Sequence, residues 1–150
     1  MERVELYRYA VSNFVGTSKF HVPYADIPTS GSLNPQGFRG YSGRVIEVEV
    51  TTVDQVVGNS TVDLVKIDVE GFEDKVLEGM ENTLLRSKPS LIIECLPDGP
   101  YKKVEVILKH FGYQVYKLSL KGPKMAKRVQ PRRDHENFLF IHPDRNTFVW

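Results

Sequence analysis

A chain of 150 residues, 41 % apolar and 26 % charged, is long enough for one globular domain with a core of its own. A formal net charge of +1 gives no overall pull toward nucleic acid or a membrane surface. The one cysteine, Cys95, excludes an internal disulfide framework and a cysteine-based zinc cluster. No amino-terminal apolar segment reads as a signal peptide and no apolar run is long enough to span a bilayer, so the expected location is cytoplasmic.

In chain order, Val4, Leu6, Tyr7 and Tyr9 to Val11 form a β-prone run. Ser12-Asn13 and Gly16-Thr17 mark a turn, and Lys19 to Val22 reads as the returning strand of a hairpin. Pro23 to Gly43 is a loop by its prolines, glycines and serines. Its Gly37, Gly40 and Gly43 spell GxxGxxG, but no apolar strand precedes them and no helix follows to hold an anion, so a phosphate loop is rejected. Ser30, Ser32 and Asn34 are expected on a surface connection rather than at a substrate. Arg44 to Val50 alternates like a half-exposed strand. Thr52 or Asp54 then caps a short helical turn that stops at Gly58-Asn59, and Asp63 reads as a solvated edge residue.

The stretch from Val62 to Glu94 organises the rest. Val62, Leu64, Val65 and Ile67 form an apolar run ending at Asp68. After Gly71 the apolar period becomes helical, with Phe72, Val76, Leu77, Met80 and Leu84 on one face until Lys88-Pro89. Ser90 to Cys95 is a second apolar run, so the whole reads as strand, helix, strand with two parallel, buried strands. Acids occur toward the carboxyl ends: Asp68 and Glu70 after the first strand, Glu94 in the second. Open α/β sheets bind ligands outside those ends, which makes all three site candidates. Asp68 and Glu70 could instead cap the helix, a reading ranked below the site role, and the two roles are compatible.

Beyond Pro97, Gly99 and Pro100, the spacing of Tyr101, Val104, Leu108 and Phe111 predicts an amphipathic helix closed by Gly112. Tyr113 to Leu118 and Phe138 to Ile141 read as strands. Between them Lys121, Lys124, Lys127, Arg128, Arg132 and Arg133 make a basic, proline-containing loop, read as a solvated run or as a cationic flap over an acidic substrate. No aromatic residue interleaves with these charges, which speaks against a nucleic-acid platform. His135, near the start of the last strand, is assigned no catalytic role.

Lys66-Ile67-Asp68-Val69-Glu70-Gly71, with Glu73, Val76-Leu77-Glu78-Gly79 and Ile92-Ile93-Glu94 behind it, resembles the signature of the FkbM-type methyltransferases. The resemblance implies the Rossmann-like class I fold and S-adenosylmethionine as methyl donor. It places Ala10, Val11 and Ser12 as wall residues near the adenine end of the cofactor pocket, and it makes the strands at Tyr113 and Phe138 the antiparallel pair that finishes the sheet. Only the carboxy-terminal portion of the family pattern is matched. The first βαβ unit, with its Gly-rich turn and ribose-binding acid, has no counterpart here. The expectation is a partial methyltransferase domain over residues 1–143 with a frayed tail at 144–150, either part of a longer enzyme or a degenerate relative.

On this reading a hydroxyl of a small metabolite or sugar attacks the donor methyl group. Asp68 is the candidate base or orienting group, supported by Glu70 and Glu94. No metal site is assigned, although a divalent cation on the same three carboxylates is a lower-ranked alternative. The rival is an inactive fragment, or a binding or assembly module, that has lost the cofactor site. Without a neighbour the Val62 to Ile67 strand is an aggregation-prone edge. It is therefore expected to aggregate, to pair in a homodimer, or to be covered by the Val4 to Val11 or Arg44 to Val50 strand. No nucleic-acid or membrane partner is expected.

Overall fold

The computed structural model describes residues 4–24, 31–34, 42–132 and 136–145. Chain order runs through β1 (Ala10–Val11), β2 (Gly16–Pro23), β3 (Gly43–Thr51), α1 (Val53–Val57), β4 (Leu64–Ile67), α2 (Glu73–Glu78) and α3 (Glu81–Ser87). It continues with β5 (Ser90–Glu94), α4 (Tyr101–His110), β6 (Gln114–Lys117), β7 (Lys124–Met125), β8 (Asn137–Ile141) and a 3-10 turn at Pro143–Arg145. The architecture is mixed α/β. A five-stranded sheet has the order β4-β5-β8-β6-β7, and a separate three-stranded sheet has the order β1-β3-β2.

In the larger sheet β4 and β5 are parallel, from Leu64 opposite Ser90 to Ile67 opposite Ile93. The remaining pairs, β5 with β8, β8 with β6 and β6 with β7, are antiparallel. Leu91, Ile93, Phe138 and Phe140 from this sheet meet Leu77, Met80, Leu84, Val104 and Leu108 from the helices, each almost fully buried. The expected strand, helix, strand unit and the closing antiparallel pair are therefore present. β7 is an addition: two residues of the basic loop that pair with β6.

The helix after Gly71 is two helices. Gly79 stands at the break, and a Cβ there would lie 2.1 Å from the carbonyl oxygen of Ser12. Gly79 O accepts from Asp54 N–H instead, and the Asp54 carboxylate accepts from the N–H groups of Asn82 and Thr83 at the start of α3. Asp54 thus caps α3, while Thr52 caps α1 by accepting from Gln55 N–H (3.0 Å). α3 ends at Lys88, in the left-handed region at φ 47°, just before Pro89.

The amino-terminal hairpin does not form as expected. β2 pairs antiparallel with β3, whereas β1 is only two residues long and runs parallel to β3. Residues 4–9 lie outside any strand, with Val4 and Leu6 each 83 % exposed. The edge strand is not covered from within either. β1 and β3 belong to the other sheet, and among the described residues β4 pairs with β5 alone, leaving Leu64 56 % exposed.

The expected tail is anchored at its start. Arg145 donates to the carbonyl of Ser87 (2.6 Å) and to Asp63 (2.6 Å), and Asp144 pairs with Lys88. Asp63 is therefore an ion-pair partner as well as an exposed edge residue. Residues 146–150, like Ser30, Gly37, Gly40, Arg133 and His135, lie outside the described residues.

Candidate active site

Parallel pairing of β4 and β5 brings their carboxyl ends side by side, and the acids follow. Asp68, Glu70 and Glu94 each offer an oxygen within 4.8 Å of the others. The N-cap residue of α2 is Phe72, whose side chain makes no capping bond.

The turn that carries these acids is held from three sides. Glu70 has φ 52° and Gly71 φ 96°, the left-handed region that costs a side-chain-bearing residue most. Ser32 Oγ donates toward the carbonyls of Glu70 (2.9 Å) and Val69 (3.3 Å), and Asn34 N–H donates back to Ser32 Oγ (3.0 Å). Gly71 N–H donates to Glu73 Oε1 at 2.9 Å. Glu73 is 1 % exposed and its Oε2 has no hydrogen-bond partner; burial pushes its carboxyl up from the usual range. Ser32, expected on a surface connection, is buried, and its segment returns along β2 through paired bonds with His21.

The three acids differ electrostatically. Glu94 is pushed up to about 7, first by burial, then by its hydrogen bond with Asp68 and by the charges of Asp68 and Glu70. Burial alone would raise Asp68 too, but Lys66 Nζ, donating at 3.0 Å, and the hydrogen bond with Glu94 hold it below the usual carboxylate range. The two adjacent carboxylates titrate as a pair, with Glu94 above the usual carboxylate range and Asp68 below it.

Beside Asp68 lies a cavity of about 210 Å³. Ala10 and Val11 form one wall; Tyr9, Phe20, Leu33, Val69 and Phe72 complete an aromatic and aliphatic lining. Ala10, Val11 and Asp68, chosen on separate grounds, therefore meet at one cavity. Ser12 stands apart from the lining: it is buried, with its N–H on Thr51 O (2.9 Å) and its carbonyl packed against Gly79. Phe72, Phe20 and Leu33 escaped the sequence reading because an apolar residue carries no chemical signature. Lys66 carries a signal the sequence offers, a charge between Val65 and Ile67 within β4.

The methyltransferase FkbM domain family matches this sequence over residues 2–115. The chain belongs to that family. The family is one of methyltransferases, and S-adenosylmethionine is the donor that methyltransferases generally use. No curated protein and no solved structure matches the chain. No helix among the described residues is long and apolar enough to cross a membrane.

Cys95 is buried at the end of β5, and burial, with the charges of Glu73 and Glu94, pushes its thiol up to about 12. It stays protonated and unreactive, as expected of a small packing residue.

Proposed function

We propose that the chain is the acceptor-side portion of an S-adenosylmethionine-dependent O-methyltransferase with the Rossmann-like class I sheet, lacking that sheet's first βαβ unit. The observation that carries this reading is the convergence of Asp68, Glu70 and Glu94 within 4.8 Å at the ends of two parallel strands, next to the cavity walled by Ala10 and Val11. When bound, the donor supplies an electrophilic methyl group. The cavity suits part of that molecule only, since 210 Å³ is below the ~300–1,000 Å³ of complete ligand sites. Val11 and Phe72 would enclose its flat adenine end, and the rest of the donor needs walls from outside these elements.

The proton acceptor is Glu94. A general base works best with a pKa near the operating pH, and about 7 meets that condition. Asp68, low and paired with Lys66, stays ionised and orients the acceptor hydroxyl as a hydrogen-bond acceptor. Glu70 keeps Glu94 basic through its charge and is itself positioned by Ser32. A second reading rests on the same oxygens: three carboxylates within 4.8 Å are ligands of the kind a hard divalent cation takes. The acceptor is a hydroxyl of a small metabolite or sugar, the domain spans residues 1–143, and the open β4 edge is where a second copy or a further strand pairs.

Calorimetric titration of S-adenosylmethionine and S-adenosylhomocysteine into the purified chain tests this. Saturable binding, weakened at least tenfold by Phe72→Ala, is expected. A folded chain that binds neither would contradict the assignment of Ala10, Val11 and Phe72 as a cofactor wall. Binding that appears only with added magnesium, and is lost on chelation, would favour the cation reading over the base.

A further inference from the structure

A second recess lies away from the acids, between α4 and the segment that returns from β7 toward β8. Its mouth has a volume of about 520 Å³ and carries Lys102, Lys109, Lys127 and Arg128. Glu105 is the one acid among the lining residues, and both its oxygens are engaged: one takes the Lys109 ammonium, the other the Val129 N–H at 2.7 Å. Lys127 and Arg128 make no ion pair among the described residues, so the mouth has a surplus of positive charge. Glu105, Lys109 and Lys127 also line an adjoining inner pocket of about 210 Å³, where Leu108, Val115, Ala126 and Phe140 are joined by Tyr113 and Gln114.

The walls are fixed rather than loose. Val129 is 1 % exposed and belongs to the main core, and its N–H on Glu105 ties the segment to α4. Ala126 N–H donates to Val115 O (2.9 Å), which extends the β6–β7 pairing along the inner pocket. The basic loop therefore packs in part against α4. The recess shares no lining residue with the cavity beside Asp68, so whatever fills it is distinct from the methyl acceptor.

We propose that this recess binds a single-chain anionic amphiphile, a carboxylate or phosphate head on an unbranched alkyl tail. The head takes its hydrogen bonds and charge neutralisation from Lys102, Lys127 and Arg128, with the planar guanidinium offering two parallel donors. The tail enters the inner pocket. At roughly 30 Å³ for each water-sized group, 210 Å³ admits about seven methylenes. Neither half of the site suffices alone. Exposed lysines hold a bare anion weakly in salt, and the inner pocket has no room for a bulky apolar ring system.

Titration calorimetry with octyl phosphate and octanoate, below their micelle concentrations, tests this. Inorganic phosphate and octanol serve as the two half-ligands. Saturable one-to-one binding of either amphiphile, at least tenfold tighter than either half, is expected. The double variant Lys127→Glu, Arg128→Glu should weaken it at least tenfold, and Ala126→Phe should abolish the advantage over inorganic phosphate. If Ala126→Phe does not fold, Met125→Asp, at a side chain 67 % exposed and lining the inner pocket, takes its place. Octanol binding as well as octyl phosphate, inorganic phosphate binding as well, or no saturable binding would each overturn the proposal. So would sedimentation with phosphatidylglycerol vesicles that survives the inner-pocket variant, because a surface patch would then account for the binding.

Discussion

Under α2, α3 and α4 the five-stranded sheet buries Leu91, Ile93, Phe138 and Phe140 to 2 % exposure or less, while the three-stranded sheet leaves Val45 52 % and Ile46 38 % exposed. The first region makes its own core. The second is fastened at one end, where Val50, Thr51 and Ser12 are buried and the Ser12 carbonyl packs on Gly79. Both ends of the candidate site depend on that junction. The acids come from the core sheet, and Ala10 and Val11 come from the fastened one. A catalytic geometry built across such a seam is only as well defined as the few contacts that cross it.

Replacing side chains on the two sides should expose the asymmetry. Leu77→Ala, at a fully buried position, should cost roughly 2–5 kcal/mol in chemical denaturation. Ile46→Ala on the exposed sheet should stay within about 0.5 kcal/mol of the parent. Equal losses would mean that the two sheets share one core after all. The seam itself comes next. Gly79→Ala forces a methyl group to 2.1 Å from a backbone oxygen and should cost ~1–3 kcal/mol. The same variant should loosen the amide protons of Ser12 and Asp54 in hydrogen exchange, and unchanged protection there would show that the seam is held elsewhere.

Glu73→Ala is the smaller perturbation. It leaves the Gly71 N–H without its acceptor, and because Gly71 is only partly buried the loss should be near 1 kcal/mol, the lower end of the ~1–3 kcal/mol range for an orphaned donor. Glu73→Gln keeps an acceptor and removes a buried charge, so it should match the parent or exceed it at neutral pH. A glutamine variant as unstable as the alanine one would assign the carboxylate charge a role that this geometry does not.

The effect on pH dependence has a fixed sign. Glu94 titrates near 7 in the folded chain against an ordinary 4.5, so between those values the folded chain holds a proton that the unfolded chain has released. Stability should therefore drift downward as pH rises from about 4.5 to about 7. Asp68 acts the other way: its contribution is present above its ordinary 3.8 and is lost as pH falls through its lower folded value. Thermal melts of the parent and Glu94→Gln across pH 4 to 8 should converge at the acid end of the first window and diverge toward neutrality.

Elements with strong periodicity were legible from residues alone. α4 needed only the spacing of Val104 and Leu108 and a terminating Gly112, whose φ of 81° confirms the glycine-dependent stop. The parallel strands and the convergence of Asp68, Glu70 and Glu94 followed from the same kind of reasoning. What escaped depended on long-range contacts. At the break, Gly79 packs against the Ser12 carbonyl, far away in sequence, and a helical pattern of apolar residues runs through it unbroken. β1 chose β3 over β2 because strand partners are set in three dimensions, and a turn-like Ser12-Asn13 could not reveal that. The difference between Asp68 and Glu94 was equally hidden. Burial presses on both; Lys66 holds Asp68 down through its hydrogen bond, while the hydrogen bond and charge of Asp68 and the charge of Glu70 push Glu94 further up.

Carbon-13 NMR titration of the Glu94 side-chain carboxyl in the purified chain tests the central claim, that two strand ends bring carboxylates close enough to titrate as a pair. The account predicts a midpoint near 7 that moves toward the ordinary carboxylate range in Asp68→Asn, with the melting temperature little changed. A midpoint near 4.5 in the parent chain, indifferent to Asp68, would mean that the acids do not meet and that the site is not the one described.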